Sequence, residues 1–135
     1  MENEKLEFIK YVSAFFRMYN FNDDVSLWLA CLAALESDFG RSRLASENKN
    51  IVSMKVPYVR ISNCLNYASS DTFAEYTLWT DCLLDLVLWI QYQRPLRKQL
   101  DDVNLIPSVF KSYCPEKDYI NKIQSIYQQF KNLKK

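Results

Sequence analysis

Val25-Ser26-Leu27-Trp28-Leu29-Ala30-Cys31-Leu32-Ala33-Ala34-Leu35-Glu36 is the stretch on which the fold turns. Apolar residues fill nearly every position, so a helix built from it has no face fit for water and reads as the centre of a core. It is too short to span a bilayer, which takes about 20 apolar residues. Just ahead, Asn22-Asp23-Asp24 supplies side chains able to cap a first turn. Gly40, the only glycine in the protein, follows at a place where helices commonly end on a left-handed residue.

Outward from this segment, Leu6, Ile9, Val12, Phe16 and Tyr19 recur at helical spacing, with Phe8, Phe15 and Met18 widening the stripe, and predict a first helix over residues 4–19. Residues 42–47 predict a short helical turn. Residues 48–72 mix Pro57, several asparagines and a Ser69-Ser70-Asp71 cluster without a stable period, and read as a long irregular excursion. Thr80 or Asp81 can cap a third apolar helix through Leu83-Leu84-Asp85-Leu86-Val87-Leu88-Trp89-Ile90, which should end before Pro95 and pack on the central one. Residues 96–113 suggest one or two short helices broken near Pro107. Pro115 is placed to open a last helix, with Glu116 and Asp118 in its first turn and lysines at its end. The expectation is a mostly α, single domain over residues 1–135, with a short irregular lobe beside one groove.

Composition narrows the chemistry. The 135 residues are 49% hydrophobic and 24% charged, an ordinary globular balance. Seventeen basic and sixteen acidic side chains leave a net charge of +1, too little field for a dedicated nucleic-acid partner. Lys131, Lys134 and Lys135 read as a solvated helix end, or as a weak attraction to anionic wall polymer or membrane. Cys31, Cys64, Cys82 and Cys114 are too widely spaced for a zinc or redox pair and read as single thiols. The absence of histidine excludes Ser-His-Asp and Cys-His units. No metal and no cofactor is expected, and chemistry must rest on carboxylates, tyrosines, amides or hydroxyls.

Glu36 therefore needs a reason for its place. Burial at the end of an apolar helix, together with the partial negative charge of the helix carboxyl end, should raise its pKa and let it hold a proton near neutrality. Glycoside cleavage requires such a donor for the leaving oxygen. The plainer alternative is that Glu36 is the first exposed position after the core helix, paired with Arg41 or Arg43.

Ala34-Leu35-Glu36-Ser37-Asp38-Phe39-Gly40-Arg41-Ser42-Arg43-Leu44-Ala45 resembles the signature A-x-E-S-x-[WF]-G-x-S-x-[LI]-A of the glucosaminidase family of peptidoglycan hydrolases. Further on, Asn50-Ile51-Val52-Ser53-Met54-Lys55 is similar to its N-[LI]-F-G-[IM]-K segment. Phe73-Ala74-Glu75-Tyr76 is similar to its F-x-x-Y. Asp81-Cys82-Leu83-Leu84-Asp85 resembles S-[VI]-x-D with cysteine for serine, and residues 113–119 resemble Y-x-x-D-x-x-Y, so the likeness runs over about residues 25–127. The resemblance implies a lysozyme-like helical fold that cuts the β-1,4 bond after N-acetylglucosamine in cell-wall glycan, of N-acetylglucosaminidase or muramidase type. Glu36 would be the general acid. Asn50 and Tyr113 would line the sugar groove, with Ser37 beside the acid as a further substrate-binding candidate; a loop cap and a core-edge tyrosine are the plainer readings of Asn50 and Tyr113.

Two departures stand out. The family's F-G is Val52-Ser53 here, losing an aromatic wall and a permissive glycine. Residues 55–72 hold only Asp71 as a carboxylate, so Asp71 is the candidate base or nucleophile, or else a turn or helix cap before Phe73. The amino end, Met1-Glu2-Asn3-Glu4-Lys5, shows no export signal. That predicts a protein made in the cytoplasm that meets peptidoglycan after lysis or delivery in a virion, as a phage endolysin or virion-associated lysin. The alternative is a weakened or inactive relative that binds glycan or serves as a structural partner in a phage particle or secretion machine.

Overall fold

Helix α2 (Asp23–Ser37) is enclosed on all sides: every residue from Val25 to Ala34 is buried. Its large side chains Leu27, Trp28, Leu29 and Leu32 are at most 1% exposed. Each such burial stabilises the fold by about 1.5–3 kcal/mol against an exposed side chain. The helix starts where the sequence predicts, with the Asn22 side chain accepting from the Val25 N–H at 2.8 Å.

The computed structural model describes residues 2–57, 60–66, 72–93, 100–114 and 116–132. Besides α2, the described helices are α1 (Glu2–Met18), α3 (Arg43–Glu47), α4 (Trp79–Tyr92), α5 (Ile106–Val109) and α6 (Tyr119–Phe130). The architecture is thus the expected lysozyme-like, mostly helical one. Helix α1 lays Phe8, Ile9, Val12 and Phe16 against α2, and α6 closes the other side with Ile123, Tyr127 and Phe130. None of these helices is long and apolar enough to cross a membrane.

Helix α4 shares one core with α2: it approaches α1, and its Trp89 stacks on Phe110 at 5.1 Å, whose ring meets Trp28 of α2 at 5.5 Å. Several local expectations are corrected. Neither Thr80 nor Asp81 caps α4, because the helix begins one residue earlier at Trp79, after Leu78. Pro107 does not break a helix but sits in the first turn of α5, where its missing N–H costs nothing. The last helix opens at Tyr119, so Glu116 precedes it and reaches into it by pairing with Lys122 at 2.8 Å. Pro115, the expected first residue, lies outside the described residues, as do Lys134 and Lys135.

The end of α2 also differs from expectation. Asp38, not Gly40, is the left-handed cap, and Phe39 follows with φ 57°. Gly40 is demanded by space as well as by its φ of +81°: a Cβ there would lie 2.5 Å from the Trp79 ring and 3.0 Å from Phe8. The short α3 then forms under a cap from Ser42, whose hydroxyl accepts from the Ala45 N–H at 3.2 Å.

The irregular lobe is held by polar side chains. Its backbone offers one isolated antiparallel bridge among the described residues, Lys55 to Phe73. Asp85, fully buried on α4, accepts from Arg60 at 2.6 Å, Ser62 at 2.8 Å and the Tyr76 hydroxyl at 2.5 Å, so one carboxylate ties three points of the lobe to the helical body. Removing it would leave the Arg60 charge buried without its partner. Asp85→Ala should therefore cost about 3–5 kcal/mol in urea unfolding, and the lobe should become the segment first cut by limited proteolysis.

Candidate active site

Glu36 occupies the last turn of α2, immediately before the left-handed residues Asp38 and Phe39. The turn is locked by Ser37, whose hydroxyl donates to the Ala33 carbonyl at 2.7 Å and accepts from the Gly40 N–H at 2.8 Å. Two left-handed non-glycine residues each cost about 1–2 kcal/mol, and this local cost turns the chain away so abruptly that the Glu36 carboxyl is left facing open space.

That space is a cleft of about 660 Å³. The cleft is lined by Glu36, by Ser53, Met54 and Val56 of the lobe, by the aromatic surface of Phe73, Trp89 and Tyr92, and by Tyr113 on the segment after α5. The volume lies within the range of small-ligand sites, and aromatic faces of this kind suit the apolar faces of sugar rings. Among the described lining residues Glu36 is the one carboxylate.

Its protonation follows from its surroundings. Burial raises the Glu36 pKa above the ordinary glutamate value; hydroxyls of Tyr119 and Ser53 within reach of the carboxyl lower it in part, and the charge of Glu116 raises it. The Tyr119 hydroxyl is buried with no hydrogen bond of good geometry among the described residues, so its pull on Glu36 is a long one. Burial and the Glu36 charge in turn hold Tyr113 and Tyr119 well above the usual phenol range, so both remain neutral. The ion pair foreseen as a plain role for Glu36 does not form: Arg41 binds Asp38 at 2.7 Å and Arg43 binds Glu47 at 2.8 Å.

The other candidates separate. Tyr113 lines the cleft and donates to the Val52 carbonyl at 2.6 Å, fixing the strand of lobe that carries Ser53. Asn50 stands behind the wall, 1% exposed. Its amide donates to the Met54 and Ala74 carbonyls, both at 2.9 Å, and its oxygen accepts from the Val52 and Met54 N–H groups. Ser37 is likewise fully buried with its hydroxyl engaged on both sides. Direct contact of Asn50 or Ser37 with a sugar would mean breaking these bonds, at about 1–3 kcal/mol for each buried group left unpaired; both side chains instead hold up the walls of the cleft. Asp71 lies outside the described residues.

Cys82, in the place of the motif's serine, accepts from the Ile51 N–H at 3.3 Å. Burial pushes its thiol, and that of Cys31, up to about 12, so both are unreactive. Sequence reasoning missed Trp89, Tyr92, Ser53 and the Arg60–Asp85 pair. A carboxylate inside the apolar run of α4 was the available signal for the pair, since a buried aspartate needs a cation; Trp89 read simply as core.

A helical body with an acid at the end of its central helix, over a groove of sugar size, defines a class: the lysozyme-like glycosidases. The chain belongs to the glucosaminidase family, whose sequence profile, described as mannosyl-glycoprotein endo-beta-N-acetylglucosaminidase, matches residues 13–132. With that family it is a glycoside hydrolase acting on peptidoglycan. In fold it is similar to the crystal structure of the catalytic domain of the autolysin Auto from Listeria monocytogenes, with a TM-score of 0.67 and 22% identity over 97% of this chain and 86% of that one. Comparison with curated protein sequences finds no match.

A raised folded-state pKa has a thermodynamic signature. Between the unfolded and folded values of Glu36 the native state binds more protons than the unfolded one, so stability falls as pH rises through that window. Glu36→Gln removes this dependence. Its melting temperature should match wild type below the ordinary glutamate range and exceed it progressively as pH rises to 7, read by calorimetry across pH 3.5–7.5.

Proposed function

We propose that this chain cuts the β-1,4 bond after N-acetylglucosamine in peptidoglycan glycan strands, with Glu36 as general acid. The observation that carries the reading is the Glu36 carboxyl itself, pushed up by burial, left unpaired by Arg41 and Arg43 and facing a cleft with aromatic walls. Glu36 gives its proton to the leaving oxygen as the C1–O bond breaks and positive charge develops at C1. Water then adds to C1, and its proton leaves to a base. Tyr113, which lines the same cleft, contacts the bound sugar, and Asn50 and Ser37 act through the walls they support.

Asp71 is the second carboxylate of this proposal. Its support is its place in the chain, two positions before the cleft-lining Phe73. The acetamido group of the substrate is the alternative second participant, as in other glycosidases that use substrate assistance. Delivery to the wall as a phage endolysin or virion-associated lysin belongs to the same proposal; mass spectrometry of purified virions and of phage-induced lysates should detect the chain, and its absence from both would remove that setting.

A second reading, a glycan-binding or assembly component without turnover, draws on one observation: Glu36 has no second acid beside it among the described cleft residues. One experiment separates the two. Purified protein incubated with peptidoglycan should release soluble muropeptides with new reducing ends, and Glu36→Gln should lower the rate about 10²- to 10⁴-fold while wall binding persists. Equal release by wild type and variant would reject Glu36 as the acid, and binding without release by wild type would favour the second reading.

A further inference from the structure

Where the resembling family has glycine, this chain has Ser53, and its backbone keeps the geometry that glycine would adopt, with φ 55°. The flanking peptides hold it there. The N–H groups of Val52 and Met54 both donate to the Asn50 side-chain oxygen, at 3.3 and 3.1 Å. The Val52 carbonyl accepts from the Tyr113 hydroxyl at 2.6 Å, and the Met54 carbonyl accepts from the Asn50 amide and from the Ala74 N–H, both at 2.9 Å. Pinned on both sides, Ser53 cannot relax into a right-handed or extended conformation without breaking a buried network. Its side chain belongs to the cleft wall that also holds Glu36.

We propose that Ser53 is a positioning residue for the acid: its hydroxyl, aimed by this strained turn, donates to the Glu36 carboxylate left behind once the proton has gone to the leaving oxygen. The inference rests on the reading of Glu36 as general acid. Strained residues held by surrounding structure mark sites where position matters more than stability, and a glycine would satisfy the backbone here while offering the acid nothing. The Ser53 hydroxyl lowers the Glu36 pKa against the rise imposed by burial, which fits donation to the ionised form. The other groups that bear on Glu36 are Tyr119 at the start of α6, Glu116 just before that helix and Tyr113 after α5. Arg60 in the cleft wall is engaged by Asp85, and Lys55 shares that wall. Ser53 is thus the hydroxyl contributed from the lobe, so a movement of the lobe would change the strength of the acid.

Two substitutions separate hydroxyl from backbone. Ser53→Ala removes the hydroxyl and keeps the strain; Ser53→Gly removes both. In carbon-13 titrations of the glutamate carboxyls, the Glu36 midpoint should move upward in both variants relative to wild type. The alkaline limb of kcat/KM for muropeptide release should move with it, and kcat should fall on the order of tenfold with KM little changed. Melting temperature should rise by about 3–5 °C in Ser53→Gly alone. An unmoved Glu36 midpoint in Ser53→Ala overturns the proposal. The titration needs no turnover, so a wild type that released no muropeptides would count against the hydrolase reading while the midpoint still decided the role of Ser53.

Discussion

A helix with no polar face can be placed in only one way, and everything else in this molecule follows from where α2 must lie. Enclosing Val25 to Ala34 requires cover on every side, which α1 and α6 supply directly and the Phe110 ring extends toward α4. The helix emerges from the core only in its last turn, where Leu35 and Glu36 are half-buried and the capping residue Asp38 is exposed. The left-handed turn at Asp38 and Phe39 and the two-sided hydrogen bonding of Ser37 close that end. Glu36 is consequently brought to the boundary between core and cleft, where burial makes its charge costly and raises its pKa.

The lobe obeys a different rule. It has almost no regular backbone pairing among the described residues, so its shape is set by a few buried polar side chains that each bind several backbone or side-chain groups. Asn50 gathers the turn from Val52 to Met54, and Asp85 gathers Arg60, Ser62 and Tyr76. Such networks hold one geometry because a shifted member leaves a buried polar group unpaired. This explains how a strand of lobe with a left-handed serine can present a hydroxyl to an acid carried by a helix of the body.

Much of this was readable from residue order. The cap at Asn22, the presence of α1, α2 and the short turn near residues 42–47, and the irregular character of the lobe follow from local chemistry, and the structure repeats them with helix ends shifted by one or two residues. The misplacements have local causes as well. Gly40 reads as the helix terminator because glycine favours left-handed geometry; the cap falls on Asp38 instead, and Gly40, itself at φ +81°, is needed for that conformation and for the room that Trp79 and Phe8 deny a Cβ. For Asn50 and Ser37 the motif marks positions without saying whether a side chain points into a groove or behind it, and both are buried with their polar groups engaged.

What the sequence by itself determined is the central helix, the acid at its end and the family, since each rests on neighbours along the chain: apolar period, capping residue, and the spacing of a motif. Only tertiary structure decided which side chains share the cleft. Trp89, Tyr113 and Ser53 come from three separate segments, and Arg60 meets Asp85 at a sequence separation of 25. Contacts of that kind depend on how elements close on one another, because hydrophobic burial is non-directional and says that a segment must be covered without saying by what.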